Sequence, residues 1–319
     1  MKEIKRVNTF FLILVVLHIG ASLIVSLLDN EAVRLGTFSS LMLTQLLILV
    51  PSFLFFLISG YDISEWIPVR RLKSGTVVLV IVFTFLVMPL ISAINIFSQL
   101  FTENVAVDMM GEIAGVSPVI TILIVGLFGP FCEEFTFRGV IYGGLRKSGF
   151  FFAAAAVTGI FFGLMHLNLN QFSYALVLGL VLSLLVEATG SIWSSIIAHM
   201  TVNTWNVFLM IMADRFYSSM GLDIFKEAAE TITRDDKFMM MGFLLVISVI
   251  TTLLAAGVFV AICSHEGRTE EARAIFKAGR SPDDDNRGGR IITLSGYIAI
   301  AVCLFVIFFL DKILMMFVK

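Results

Sequence analysis

Nine apolar stretches of roughly membrane-spanning length fix what this chain can fold into. They fall at about Thr9–Leu28, Leu41–Ile58, Thr76–Phe97, Pro118–Arg138, Phe151–Asn168, Phe172–Glu187, Ile192–Met212, Phe238–Ile262 and Ile291–Leu310. Crossing about 30 Å of hydrocarbon takes roughly 20 helical residues. In lipid every backbone N–H and C=O must be satisfied within the protein. The expected fold is therefore all-α: a polytopic transmembrane helical bundle of about eight or nine spans. Composition agrees: 58% of the 319 residues are hydrophobic and only 14% are charged, against about 25% in soluble domains. Mean hydropathy is +0.98. A net charge of −2 leaves no nucleic-acid footprint. The lipid bilayer is the first expected partner.

Lys2, Lys5 and Arg6 precede the first apolar run, and no clear small-x-small cleavage site follows it. A retained first helix is expected rather than a removed signal peptide. With the N-terminus inside, 15 of the 22 Lys and Arg fall in inner segments, among them Arg70, Arg71, Lys73, Arg138, Arg146 and Lys147. The positive-inside rule then predicts N-in and C-out. Ser281–Asn286 reads as a solvated linker, and Ala213–Lys237 as a short outer amphipathic helix. Pro130 predicts a kink in the fourth span. Cys132, Cys263 and Cys303 have no metal-knuckle spacing and read as small buried hydrophobes without disulfides.

Within the fourth span two acidic residues stand side by side, Glu133 and Glu134. Each carboxylate at bilayer depth costs roughly 2.5–3.5 kcal/mol on insertion scales. Depth can be read from the 1.5 Å rise of a helix, which puts Glu133 roughly 18 Å, His166 roughly 21 Å, His199 roughly 12 Å and Asn203 roughly 18 Å above the inner face. Three spans thus bring a carboxylate, two imidazoles and an amide to one level. Intramembrane ionisable groups normally face the bundle interior or a wet cavity.

Spacing divides the labour. Glu134 and Arg138 are i,i+4 with the acid first, the better orientation for a helix ion pair. That pair reads as structural. His199 and Asn203 share a face, and Phe162 packs one turn before His166. Glu133 points about 100° away from Glu134. Taken singly, Glu133 is open between proton relay, ion site and base; His166 and Phe162 read as core, and His18 and His265 as a packed or interfacial residue and a loop residue. Taken together they are parts for hydrolysis: a base that takes a proton from water, and donors that stabilise an oxyanion. Two histidines and a glutamate are also a catalytic zinc set, so a zinc at Glu133, His166 and His199 stands beside the metal-free alternative, although no His-Glu-x-x-His helix is present. Nothing suggests a serine or cysteine nucleophile.

Glu133-Glu134-x-x-x-Arg138, Phe162-x-x-x-His166 and His199-x-x-x-Asn203 resemble the three motifs of the CPBP intramembrane proteases, the family of Rce1-type CAAX prenyl endopeptidases and bacterial Abi-type bacteriocin-processing or self-immunity proteins. The lead-in Thr189–Ala198 before His199 is similar to the family's as well. The resemblance covers about Ser117–Met212. It implies an intramembrane endopeptidase in which Glu133 and His166 activate water, His199 and Asn203 hold the oxyanion, and Glu134 with Arg138 shapes the helix. The implied substrate is a peptide or protein, either prenylated and CAAX-like or a peptide pheromone or bacteriocin. Both a metallo- and a glutamate-type mechanism are argued for the family. The chain then divides into an N-terminal hairpin and basic loop (1–75), a catalytic transmembrane core (76–212) and an outer polar loop with two further spans (213–319). The basic segment 264–290 is a candidate site for substrate, partner or anionic lipid. The expected location is a membrane, the plasma membrane if the source is bacterial. A non-catalytic scaffold or self-immunity factor on the same fold is the alternative. A transporter is disfavoured because no internal repeat is visible.

Overall fold

The computed structural model describes residues 1–28, 36–102, 116–221, 232–276 and 290–310. Among them the chain is helical throughout, with one isolated bridge between Val69 and Ser191. Seven helices are long and apolar enough to cross a membrane. They are α1 (Lys2–Leu28), α2 (Thr37–Ser59), α4 (Ser74–Ser98), α5 (Pro118–Ser148), α7 (Leu169–Thr189), α8 (Ile192–Ser219) and α9 (Arg234–Glu266). Shorter ones are α3 (Ile63–Trp66), α6 (Phe151–Leu164), α10 (Thr269–Phe276) and α11, which begins at Leu294. This is an all-α polytopic bundle, and the chain is an integral, multi-pass membrane protein. On α9, Phe243, Val246, Val249, Ile250 and Leu253 are all more than half exposed. A soluble surface rarely tolerates a contiguous apolar patch of that kind, so this face meets lipid.

The fifth apolar stretch folds differently from expectation; like the ninth, it forms a helix shorter than the seven. At 14 residues α6 is only about 21 Å long, short of the bilayer core. It ends at Leu164, and Leu167 takes the left-handed backbone conformation, φ 54°. Asn168 then caps α7, its side chain accepting from the Gln171 N–H at 2.8 Å. The two helices form a hairpin whose turn carries His166, so His166 sits in the turn and not within a span. Glycines let the arms touch: a Cβ on Gly159 would lie 2.6 Å from the Leu176 carbonyl oxygen, and one on Gly179 would lie 2.8 Å from the Gly159 Cα. Small residues allow such close approach of membrane helices. Gly159→Val is expected to force the arms apart at a cost of about 1–3 kcal/mol. Thermal unfolding in detergent would show it, and an unchanged midpoint would contradict this packing.

Other boundaries also move. Residues 213–219 continue α8 rather than forming a separate outer helix; residues 222–231, the rest of that expectation, lie outside the described residues. His265 and Glu266 are not in a loop. They end α9, where His265 Nδ1 pairs with the Thr76 hydroxyl at 2.8 Å and the buried Glu266 accepts from Lys73 N–H at 3.1 Å. Residues 269–276 are helical, and the Ser281–Asn286 linker lies outside the described residues, as do Lys277, Arg280 and Arg287. Arg138 is no loop charge either: α5 runs on to Ser148 and Arg138 is fully buried. All three cysteines are free and buried, as their spacing suggests.

Candidate active site

Pro130 shapes the site from below. It has no N–H, so in helix α5 it leaves an acceptor without a partner four or five residues earlier. The helix widens here: Ile122–Phe128 is π-helical, Gly129–Glu134 is α, and Phe135–Tyr142 is π again. The two carbonyls that a residue at 130 could have reached are those of Gly126 and Val125. Both are taken by α8: Asn203 Nδ2 donates to Val125 O at 3.2 Å, and Thr204 Oγ1 donates to Gly126 O at 3.3 Å. The predicted break at Pro130 is therefore a local widening that ties α5 to α8. The start of α8 is fixed independently, by Ile192 N–H donating to Pro68 O at 2.7 Å. The stretch of α8 from Ile192 to Thr204, which carries His199 and Asn203, is thus held at both ends.

Above Pro130, Glu134 and Arg138 form the expected i,i+4 pair at 2.7 Å, both fully buried. Arg138 Nη2 also donates to Gly179 O at 2.9 Å, and its guanidinium lies 4.7 Å from the centre of the Phe162 ring. Glu134 does more than offset Arg138. Its Oε1 lies 2.8 Å from His199 Nδ1. A carboxylate oxygen accepts, so Nδ1 carries the proton and Nε2 turns the other way. That nitrogen faces Glu133 Oε2 at 3.7 Å. The same reasoning applies to His166, whose Nδ1 lies 2.9 Å from Phe162 O. A carbonyl only accepts, so Nδ1 donates and Nε2 keeps its lone pair. Phe162 packs edge-on against both rings, with centroids 5.2 Å from His166 and 5.7 Å from His199.

These side chains line one cavity of about 710 Å³, within the usual range of ligand pockets, about 300–1,000 Å³. Glu133, Phe162, His166, His199 and Asn203 all face it. Glu133 is partly exposed to it, whereas Glu134 and Arg138 are sealed behind. Among the described residues, no three His, Cys, Asp or Glu side chains are grouped as metal ligands would be.

Residues 115–205 match the family model described as type II CAAX prenyl endopeptidase Rce1-like. This stretch, under a third of the chain, is similar to that family. All seven motif residues, from Glu133 to Asn203, lie inside it, which supports the resemblance read from them. A curated relative, "Putative membrane peptidase YdiL" of Bacillus subtilis (strain 168), is 31% identical over 96 residues, 30% of this chain and 39% of that protein. The matched stretch spans about two fifths of that relative's length. No solved structure matches the chain significantly.

Several polar residues of the matched stretch and its surroundings escape a motif reading. Asn95, Asn168, Gln171, Tyr174 and Asn206 line the same cavity. Their only sequence signal is polarity inside or beside apolar runs. His18 and Gln45 line it too, although they come from α1 and α2. The role of Glu134 toward His199 had no signal at all, because the two are 65 residues apart in sequence.

Proposed function

We propose that this protein is an intramembrane endopeptidase that hydrolyses a peptide bond with water activated by Glu133. The observation that carries the proposal is the pair formed by Glu133 and His199. Glu134 holds the Nδ1–H of His199 from behind, and Nε2 is aimed across 3.7 Å at the Glu133 carboxylate inside the cavity. That gap is too long for a direct hydrogen bond and leaves the two groups to act through a water.

Glu133 takes a proton from a cavity water as it attacks the scissile carbonyl. The lone pair on His166 Nε2 supplies a second acceptor at the other wall. Charge then develops on the carbonyl oxygen. His199 enters and leaves the cycle as an imidazolium: its Nε2–H donates to that oxyanion, and the buried Glu134 stabilises the charge from its far side. Asn203 has a second amide hydrogen beyond the one given to Val125 and serves as a further donor. The proton held at Glu133 passes to the leaving amine. Glu133, His166 and His199 are not grouped as zinc ligands would be, and no step above is routed through a metal. By resemblance the substrate is a prenylated CAAX-like chain end or a peptide pheromone or bacteriocin; an N-terminus inside fits the loop charges, and the location is the plasma membrane if the source is bacterial.

The test uses the purified protein in phosphatidylcholine vesicles with a proteome-derived peptide library, reading new termini by mass spectrometry. Wild type should cut. His166→Ala and His199→Ala should each lose about 10²–10⁴-fold in rate. Full rates in both variants would sink the assignment. Normal cellular function in a Glu133→Ala variant would favour the scaffold or self-immunity alternative.

A further inference from the structure

The Rce1-like stretch begins at residue 115, yet the cavity has a wall built from outside it. His18 on α1 and Gln45 on α2 both line it. Each carries a side-chain atom that is buried and has no hydrogen-bond partner: Nδ1 of His18 and Oε1 of Gln45. Buried polar atoms are nearly always paired, and leaving one unmade costs about 1–3 kcal/mol. Both residues line the one cavity, so a partner for either atom can come from what enters it.

Their positions say what. Gln45 lies against Gly129: a Cβ there would sit 3.5 Å from Gln45 Nε2. Gly129 and Glu133 are i,i+4 and share a helix face, so the Gln45 amide stands one turn below the Glu133 carboxylate. His18 and His166 line the same cavity. One orphan group therefore stands beside Glu133, and the other shares the cavity wall with His166. A glutamine carbonyl accepts from an N–H. An imidazole nitrogen pairs with either partner of an amide. A peptide link presents one N–H and one C=O, both uncharged, and matches this wall.

We infer that the N-terminal helices form a substrate-binding wall, in which Gln45 Oε1 and His18 Nδ1 hydrogen-bond the backbone of an extended, uncharged peptide segment flanking the scissile bond. This rests on the proteolytic reading of the same cavity. It makes His18 and Gln45 positioning residues, contributed by helices beyond the Rce1-like stretch.

The experiment uses the full chain in phosphatidylcholine vesicles with photoactivatable peptides from the same library. Two quantities are read: KM and kcat for cleavage by wild type, His18→Phe and Gln45→Leu, and photocapture by the same variants in a Glu133→Gln background. Both substitutions keep volume and remove the hydrogen bond. KM should rise about threefold to tenfold for each, the size of one uncharged hydrogen bond, with kcat within about twofold, and capture should fall in parallel. If wild type cuts nothing but capture still depends on His18 and Gln45, the catalytic reading fails and the wall stands. Unchanged KM and capture overturn the wall. So does a fall in thermal stability with KM unchanged, and so does absence of capture in every version.

Discussion

Arg138→Ala is expected to destabilise the core strongly and to abolish activity with it. Arg138 and Glu134 are both fully buried, so the substitution strands a carboxylate with no cation beside it. Removing one partner of a buried pair typically costs about 3–5 kcal/mol. Here the loss also includes the bond to Gly179 O and the stacking on Phe162. A midpoint lower by about 10 °C is the scale to expect. Arg138→Lys should not rescue it, because an ammonium cannot reach Glu134 and Gly179 in one plane and stack on a ring as well. The discriminating variant is Glu134→Leu with Arg138→Met. Replacing a buried pair by apolar groups of similar size is often close to neutral. Thermal unfolding should recover most of the midpoint while cleavage stays lost, because His199 Nδ1 has lost Glu134. A double variant with wild-type activity would show that Glu134 does not orient His199.

The membrane-spanning helices were legible because lipid admits so few solutions: long apolar runs must be helical. The hairpin at His166 was not. Phe151–Asn168 is apolar enough for a span, and the stop comes from the left-handed Leu167 and the Asn168 cap, short signals inside a hydrophobic run. The i,i+4 pairs were legible too, since Glu134–Arg138 and Phe162–His166 are contacts along one element. Contacts between elements were not. Nothing in the spacing of Glu134 foretells His199, and nothing in a lone His18 or Gln45 foretells a shared cavity wall. Pro130 lies between these cases: the disruption was readable, but its resolution through Asn203 and Thr204 required knowing which helix lies alongside.

Glu133→Gln is expected to leave the fold intact and stop the chemistry. Glu133 is partly exposed to the cavity, and its ion-pair partner among the described residues is His199 Nε2 at 3.7 Å. The amide fills the same volume but cannot take a proton from water. Loss of a general base is worth about 10²–10⁴-fold. Metal content of the purified wild type and variant, measured side by side, separates a zinc-bearing site from a metal-free one: a zinc held by Glu133 would fall with the rate, and a metal-free site would show none in either. The most direct measurement is single-turnover cleavage of the best library peptide by wild type and Glu133→Gln at matched thermal stability. A rate lower by about 10²–10⁴-fold is the predicted result; a variant cutting within about twofold of wild type would contradict Glu133 as the group that activates water.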